Sequence, residues 1–300
     1  MQHAARNLIA VLFLIFLIAP APQVAQPAVE KPKRKSETPQ ANPVTPPMTV
    51  WQARRAVITG LNTVLPHAFT QVSFFHVTGY EVKMNPESIR VSAGRIECEA
   101  DVSDFYNNGT TKTPRNEHCK VDLRSIGTLG FERLSNYYWL TENEKRDLDG
   151  LLAYIAWGAP AEAQAFADAV NRLRSSARGE RTPADEADWR EFQQKAAEWR
   201  ALAVKPSITE DVRKHRLLAE NAVNEKQFDN AVEEYEAGLK ISPVWPEGHF
   251  NAALLCAELE YYSEAIHHMQ AYLELVPEAP DAQQARDQMV IWEAKLAKAK

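Results

Sequence analysis

Glycine is scarce in this chain, with 11 residues in 300. Loops that cradle phosphate need glycine where the backbone closes on the ligand, and no Gly-rich phosphate loop occurs. A nucleotide-binding enzyme is therefore not expected. No G-x-S-x-G is present, so the strained nucleophile turn of many hydrolases is missing too. There are three cysteines, Cys98, Cys119 and Cys256, with no C-x-x-C and no H-x-x-x-H, which removes the compact zinc patterns. The acid pairs Glu97/Glu99 and Asp101/Asp104 lack the ligand order and glycine of a calcium loop and read as a solvated strand edge. Neither a catalytic residue, a metal site nor a cofactor is expected. Positive charge is not in excess either. The net charge is −6, and residues 209–300 hold 17 acidic side chains against 9 Lys and Arg. Phosphate backbones need a basic footprint, so nucleic acid is not an expected partner.

Long apolar runs are also absent, with one exception. Residues 8–19, LIAVLFLIFLIA, form an unbroken apolar stretch of 12. A spanning helix needs about 20 apolar residues and a secretory signal core about 7–15. Residues 1–21 thus read as a signal peptide with a small-residue site at Ala19-Pro20-Ala21. Pro22 is a poor neighbour for cleavage, and residues 7–29 carry no Lys, Arg, Asp or Glu, so retention as an N-terminal membrane anchor is the other reading. Lys31, Lys33, Arg34 and Lys35 follow closely, where positive flanks favour the cytoplasmic side. The expected location is exported, either periplasmic or anchored in the cell envelope. Residues 22–49 read as a Pro-rich linker, since eight prolines fall within 20–47 and almost no large apolar side chain does.

Beyond the linker the pattern turns globular. Residues 50–61 place Val50, Ala53, Val57 and Leu61 at helical steps. From residue 69 the period becomes two: Val72, Phe74 and His76; Tyr80, Val82 and Met84; Ile89 and Val91; Ile96, Cys98 and Ala100; Cys119, Val121 and Leu123; then Tyr154 and Ala156 against Ile155 and Trp157. Turn signals at Asn85-Pro86, Ala93-Gly94 and Asn107-Asn108-Gly109 separate the runs and predict an antiparallel sheet. Asn108-Gly109-Thr110 has the form of a glycan acceptor. Residues 160–174 then predict an amphipathic helix with Ala163, Phe166, Val170 and Leu173 on one stripe. Residues 50–176 thus form an α+β domain. Its last strand LLAYIAWG running into AFADAVNRLR resembles the end of a pleckstrin-homology-like (PH-like) domain, where a C-terminal helix closes about seven strands. Cys98 and Cys119, both on strands of this domain, are candidates for a disulfide in an oxidising compartment, and Cys256 reads as a small core residue. His267 and His268, adjacent on a helix, point about 100° apart and read as surface residues.

Residues 177–208 read as a linker and a bridging helix, with Trp189, Phe192, Ala196 and Trp199 at helical steps. Over residues 209–300 a 34-residue period appears. Phe228, Ala231, Leu239 and Pro243 match Tyr262, Ala265, Leu273 and Pro277. The period, the small residues and the terminal prolines resemble the tetratricopeptide repeat (TPR) family. That resemblance implies two units of paired helices. Leu218, Ala219, Ala222, Ala231, Gly238, Ala252, Ala253, Cys256 and Ala265 would lie at their seams. The helix over 185–203 is expected to pack against the first unit as a cap or to bridge the two domains, and the helix over 281–298 would cap the other end. Met269 replaces a common aromatic, and His215 and His249 stand where Trp is frequent.

TPR arrays usually hold partners rather than do chemistry. The resemblance implies a concave face carrying Arg213, Arg216, Glu220, Phe250, Asn251 and Leu254. Some members clamp a chaperone C-terminal carboxylate with Lys and Asn. Asn251 matches one such position, while Glu220 stands where another Asn is expected. The expected function is a non-catalytic scaffold of the cell envelope that binds a partner protein or peptide. Two alternatives are a lipid-surface module, using the middle domain and the basic run 31–35, and an enzyme whose site lies in the middle domain.

Overall fold

A computed structural model describes residues 48–64, 67–72, 77–106, 115–134, 137–143, 152 and 155–298. The signal or anchor segment, nearly all of the Pro-rich linker, the strand positions Phe74, His76 and Tyr154, and the Asn108–Thr110 motif lie outside them. The described chain has an antiparallel-sheet region followed by a helical region.

Helix α1 (Val50–Asn62) starts at Thr49, whose side chain accepts from the Gln52 amide while Gln52 reaches back to the Thr49 amide. This reciprocal cap satisfies two otherwise unpaired donors. Val50, Trp51, Ala53, Val57 and Leu61 form its buried stripe. The first sheet comprises β1 (His67–Val72), β2 (Val77–Met84), β3 (Arg90–Val91), β4 (Arg95–Tyr106) and β5 (Arg115–Asp122). The long β4 organises it. Along one edge β4 pairs with β2 over residues 100–106 and with β3 at residues 96 and 97, and along the other with β5, all antiparallel. Cys98 and Cys119 face each other in the β4–β5 register and are joined by a disulfide, with both residues buried. Of the acidic strand edge, Asp104 pairs with Arg115 at 3.0 Å.

A second sheet has β6 (Leu129–Leu134), β7 (Tyr137–Glu142) and β8 (Ala156–Trp157) in that order, antiparallel throughout. Helix α2 (Pro160–Arg178) covers it and packs on α1, burying Ala163, Phe166, Val170 and Leu173. It ends at Gly179, which adopts a left-handed φ of 65° and lies against Leu296. A glycine here removes the Cβ penalty of that conformation.

The helical region comprises α3 (Pro183–Ala201), α4 (Glu210–Asn224), α5 (Phe228–Ile241), α6 (Pro246–Glu258), α7 (Tyr262–Leu275) and α8 (Ala282–Lys298). Helices α4–α5 and α6–α7 are two antiparallel hairpins. Ala219, Ala231, Ala252, Ala253, Cys256 and Ala265 are fully enclosed at their seams. The 34-residue period holds in the backbone as well: Lys226 and Glu260, each in the turn within a hairpin, take left-handed φ values of 59° and 64°. Helix α8 packs on α7 and buries Ala285 and Trp292.

Two expectations are corrected. Helix α3 does not cap the first hairpin; it packs on α7 of the second. Its aromatic pair Trp189 and Phe192 finds the rings of His267 and His249 there. Leu218 is not a seam residue, being 44% exposed. The neighbouring Ala219 takes the inward position on α4, where only a small side chain fits between close backbones.

The two regions are joined along α1 and α2. Trp51 packs on Tyr261 with ring centres 4.8 Å apart, Arg54 pairs with Asp229 at 2.6 Å, and Arg55 with Glu233. From α2, Ser176 donates to Glu264 at 3.0 Å. Residues 45–300 accordingly form one compact unit.

Candidate functional site

A cleft of about 940 Å³ opens where the C-terminal end of α3, the segment 205–208, the α5–α6 turn and the α7–α8 turn converge. Prolines end or begin the surrounding helices, so backbone rather than regular helix forms much of its wall. Three aromatic side chains line it: Trp199, Trp245 and Tyr272. Trp245 sits just before α6 and packs against Tyr235 at 5.7 Å. Gly248 and Gly238 make that placement possible, since a Cβ would come within 2.3 Å and 2.9 Å of the indole. The Tyr272 hydroxyl donates to Asp281 at 2.6 Å, and its ring lies 5.0 Å from Phe250.

The cleft carries Arg200, Lys205 and Arg216 against Glu247 and Glu278. Each cation has an internal partner. Arg200 reaches the Glu274 carboxylate at 2.8 Å and its backbone carbonyl. Lys205 lies 5.0 Å over the Trp199 ring and donates to the carbonyls of Arg200 and Leu202 at 2.9 and 2.6 Å. Arg216 has only an ion pair with Glu220 at 3.6 Å, and its buried Nε has no hydrogen-bond partner among the described residues.

Of the six residues read from the sequence, Arg216 alone lines this cleft. Phe250 supports it from behind Tyr272. Asn251 donates to the Tyr235 hydroxyl at 3.1 Å, so its amide is committed within the array. Arg213 pairs with Glu210 on its own helix at 2.9 Å, and Leu254 is 43% exposed. Trp199, Trp245 and Tyr272 were missed. Their signal is an aromatic residue within about two turns before Pro206, Pro246 and Pro277, near the breaks between helices.

Behind the cleft runs a buried polar chain. His249, on the first turn of α6, places Nε2 2.9 Å from the Pro243 carbonyl, so this nitrogen donates. Its Nδ1 lies 3.1 Å from Nδ1 of His268 on α7. His268 Nε2 lies 2.9 Å from the Glu236 carboxylate on α5. Hydrogen bonding is satisfied with the extra proton on either ring, and the Glu236 carboxylate beside His268 favours it there: His268 is then an imidazolium donating from both nitrogens, and His249 is neutral and accepts at Nδ1. The electrostatics agree. Burial and then the His268 charge hold His249 well below the usual histidine range. Burial works against charge on His268, but the Glu236 hydrogen bond and charge outweigh it and raise its pKa. Burial likewise opposes ionisation of Glu236, and His268 reverses that.

His267 lies 5.3 Å from Trp189, and burial followed by the His268 charge lowers it to about 4. The reading of His268 as a surface residue is overturned, and His267 is half-buried. His268 is 4% exposed, because α3 covers the face of α7 that a two-hairpin array would leave open. No group of three or more His, Cys, Asp or Glu among the described residues is arranged to hold a metal ion. No described helix is long and apolar enough to cross a membrane.

Comparison with protein-family models, with curated proteins and with solved structures returned no match to this chain.

Proposed function

We propose that this chain is a non-catalytic docking protein of the cell envelope, and that a short segment of a partner protein lies in the cleft walled by α3 and the α5–α6 and α7–α8 turns. The observation that carries this is the cleft itself: about 940 Å³, with Trp199, Trp245 and Tyr272 on its wall. Rigid aromatic surface beside polar rims is what binding hot spots are built from. Helices whose geometry is fixed by buried seams provide a preformed groove, which lowers the ordering cost of binding.

The hairpins fit membership of the TPR family. Besides the left-handed turns 34 residues apart, the units share a polar pair. His215 faces Glu234 at 2.7 Å, and the positions 34 residues on are His249 and His268. The sheet region fits a PH-like domain in that α2 comes after the strands and covers β6–β8. In this reading it braces the array.

The test is selection of random displayed peptides on the immobilised chain at pH 7, followed by binding of the enriched peptides to variants. Trp199→Ala and Arg216→Ala are expected to weaken binding at least about tenfold, roughly 1.4 kcal/mol each. Leu254→Ala, away from the cleft, is expected to leave it unchanged. Enriched peptides indifferent to both cleft variants would overturn the assignment.

A further inference from the structure

Arg200 and Lys205 of the cleft are engaged internally and Arg216 names no particular ligand by itself, whereas the polar chain behind it is a device with two states. The turn at Pro243 is held by His249, and its neighbours Ser242 and Val244 line the cleft. Phe192 of α3 lies over the His249 ring at 5.4 Å and stacks on Trp189 at 5.3 Å, which in turn meets His267. The same imidazole thus touches the cleft wall, the covering helix and the His268–Glu236 pair.

We propose that the His249–His268 pair is a pH-operated latch that holds α3 and the Pro243 turn in place at neutral pH and releases them on acidification. Its bearing on docking rests on the cleft being the docking site. The proton count gives the mechanism. In the closed state His268 donates to His249 Nδ1, and His249 donates to the Pro243 carbonyl. A proton arriving on His249 Nδ1 turns the acceptor into a donor. Two N–H groups and two positive charges then meet at 3.1 Å, and the bond between the rings cannot persist.

The charges facing the pair come from every element packed against it. Glu236 on α5 neutralises one imidazolium, and it is already matched to His268. Glu264 on α7 favours charge on His268 but is also engaged by Arg172 and Ser176 of α2. His267 on α7, lowered to about 4, is neutral over most of this range and supplies no counter-charge. Asp185 of α3 and Arg181, just before it, act on His267 in opposite senses. Arg172 reinforces the ionised Glu236. On α6 the buried Cys256 thiol, pushed up by burial and then by Glu236 and Glu264, stays neutral. One carboxylate therefore serves two rings, and the second proton has no counter-ion of its own.

Amide hydrogen exchange on the free full-length chain tests this at pH 7 and pH 5, corrected for the intrinsic pH dependence of exchange. Opening of residues 186–201 and 242–247 is expected to increase about tenfold at pH 5, since each pH unit below a free histidine's range favours the protonated open state by up to a factor of ten. In His249→Gln, whose amide can donate and accept but not titrate, the increase is expected to disappear at 242–247 and to shrink at 186–201, where His267 against Trp189 keeps its own share. An unchanged wild type, or an equal increase in His249→Gln, would overturn the latch. Imidazole nitrogen NMR of the wild type needs no variant. At pH 7 it should show one doubly protonated ring, His268, and a neutral His249 with its proton on Nε2; a neutral His268 would overturn the latch as well. These readouts involve no partner, so their failure leaves the cleft reading standing, and failure of the peptide selection leaves the latch standing.

Discussion

At the scale of single residues, the informative side chains are polar ones placed where an apolar array would put hydrocarbon. His249 and His267 are held neutral by enclosure, and His267 titrates only at about 4. An unfolded chain takes up those protons near pH 6.5. Between pH 6.5 and about 4.5 the unfolded state thus binds more protons, and stability falls as pH falls. The slope is up to about 1.4 kcal/mol per pH unit for each histidine, less for the half-buried His267. His268, with its raised pKa, is charged in both states in that window and adds no slope there. Its own stabilisation is present below pH 6.5 and fades as pH rises through its folded value. Glu236 and Asp185, both lowered, lose theirs only as pH drops through the carboxylate range. Denaturant titrations at pH 7, 6 and 5 check this: His267→Gln should give a shallower loss than wild type, and a flat wild-type profile would contradict the assignment. This chemistry is partly legible in the chain. His215 and His249 stand 34 apart, as do Glu234 and His268, so a repeated polar pair is visible in the residues themselves. That α3 folds over it is not visible there, because nothing in a helix's own periodicity names its neighbour.

At the scale of elements, local signals carry most of the assignment. Periods of 3.6 and 2, proline stops and a fixed 34-residue repeat locate α1, β2 to β5 and α2 to α8, while β6 and β7 go unread. Strand pairing is less legible: β4 serves three neighbours, which depends on its 12 residues being long enough to share an edge between β2 and β3. The Cys98–Cys119 bridge clips β4 to β5 at one point of that ladder. In the chain-entropy picture, closing a loop of this length limits the unfolded chain by roughly 3 kcal/mol. A Cys98→Ala/Cys119→Ala double variant should therefore lose about 3 kcal/mol in denaturant unfolding relative to the oxidised wild type, with little change in secondary structure by circular dichroism. A loss below about 1 kcal/mol would show that packing across the β4–β5 pair suffices. Five of the six candidate binding residues lie off the cleft for an elementary reason. Helical spacing gives the face of α4 and α6, but the cleft is built by the chain between helices, where periodicity carries no information.

For the whole molecule, the joint between the sheet region and the hairpins matters most. Trp51, Arg54 and Arg55 of α1 reach Tyr261, Asp229 and Glu233, contacts that touch both hairpins. Trp51 is 2% exposed, and replacing such a ring with alanine removes about 3–5 kcal/mol of packing. Trp51→Ala is expected to split one thermal unfolding transition into two, the hairpins and the sheet region melting separately in calorimetry. A single transition shifted to lower temperature would mean that the α1 ion pairs and the α2–α7 contacts keep the regions coupled. The same joint has a mechanical side. A stack of two hairpins is a short spring, free to wind or unwind about its own axis. A strut fastened at three points across both coils, and itself packed on α2 and β3, opposes that winding.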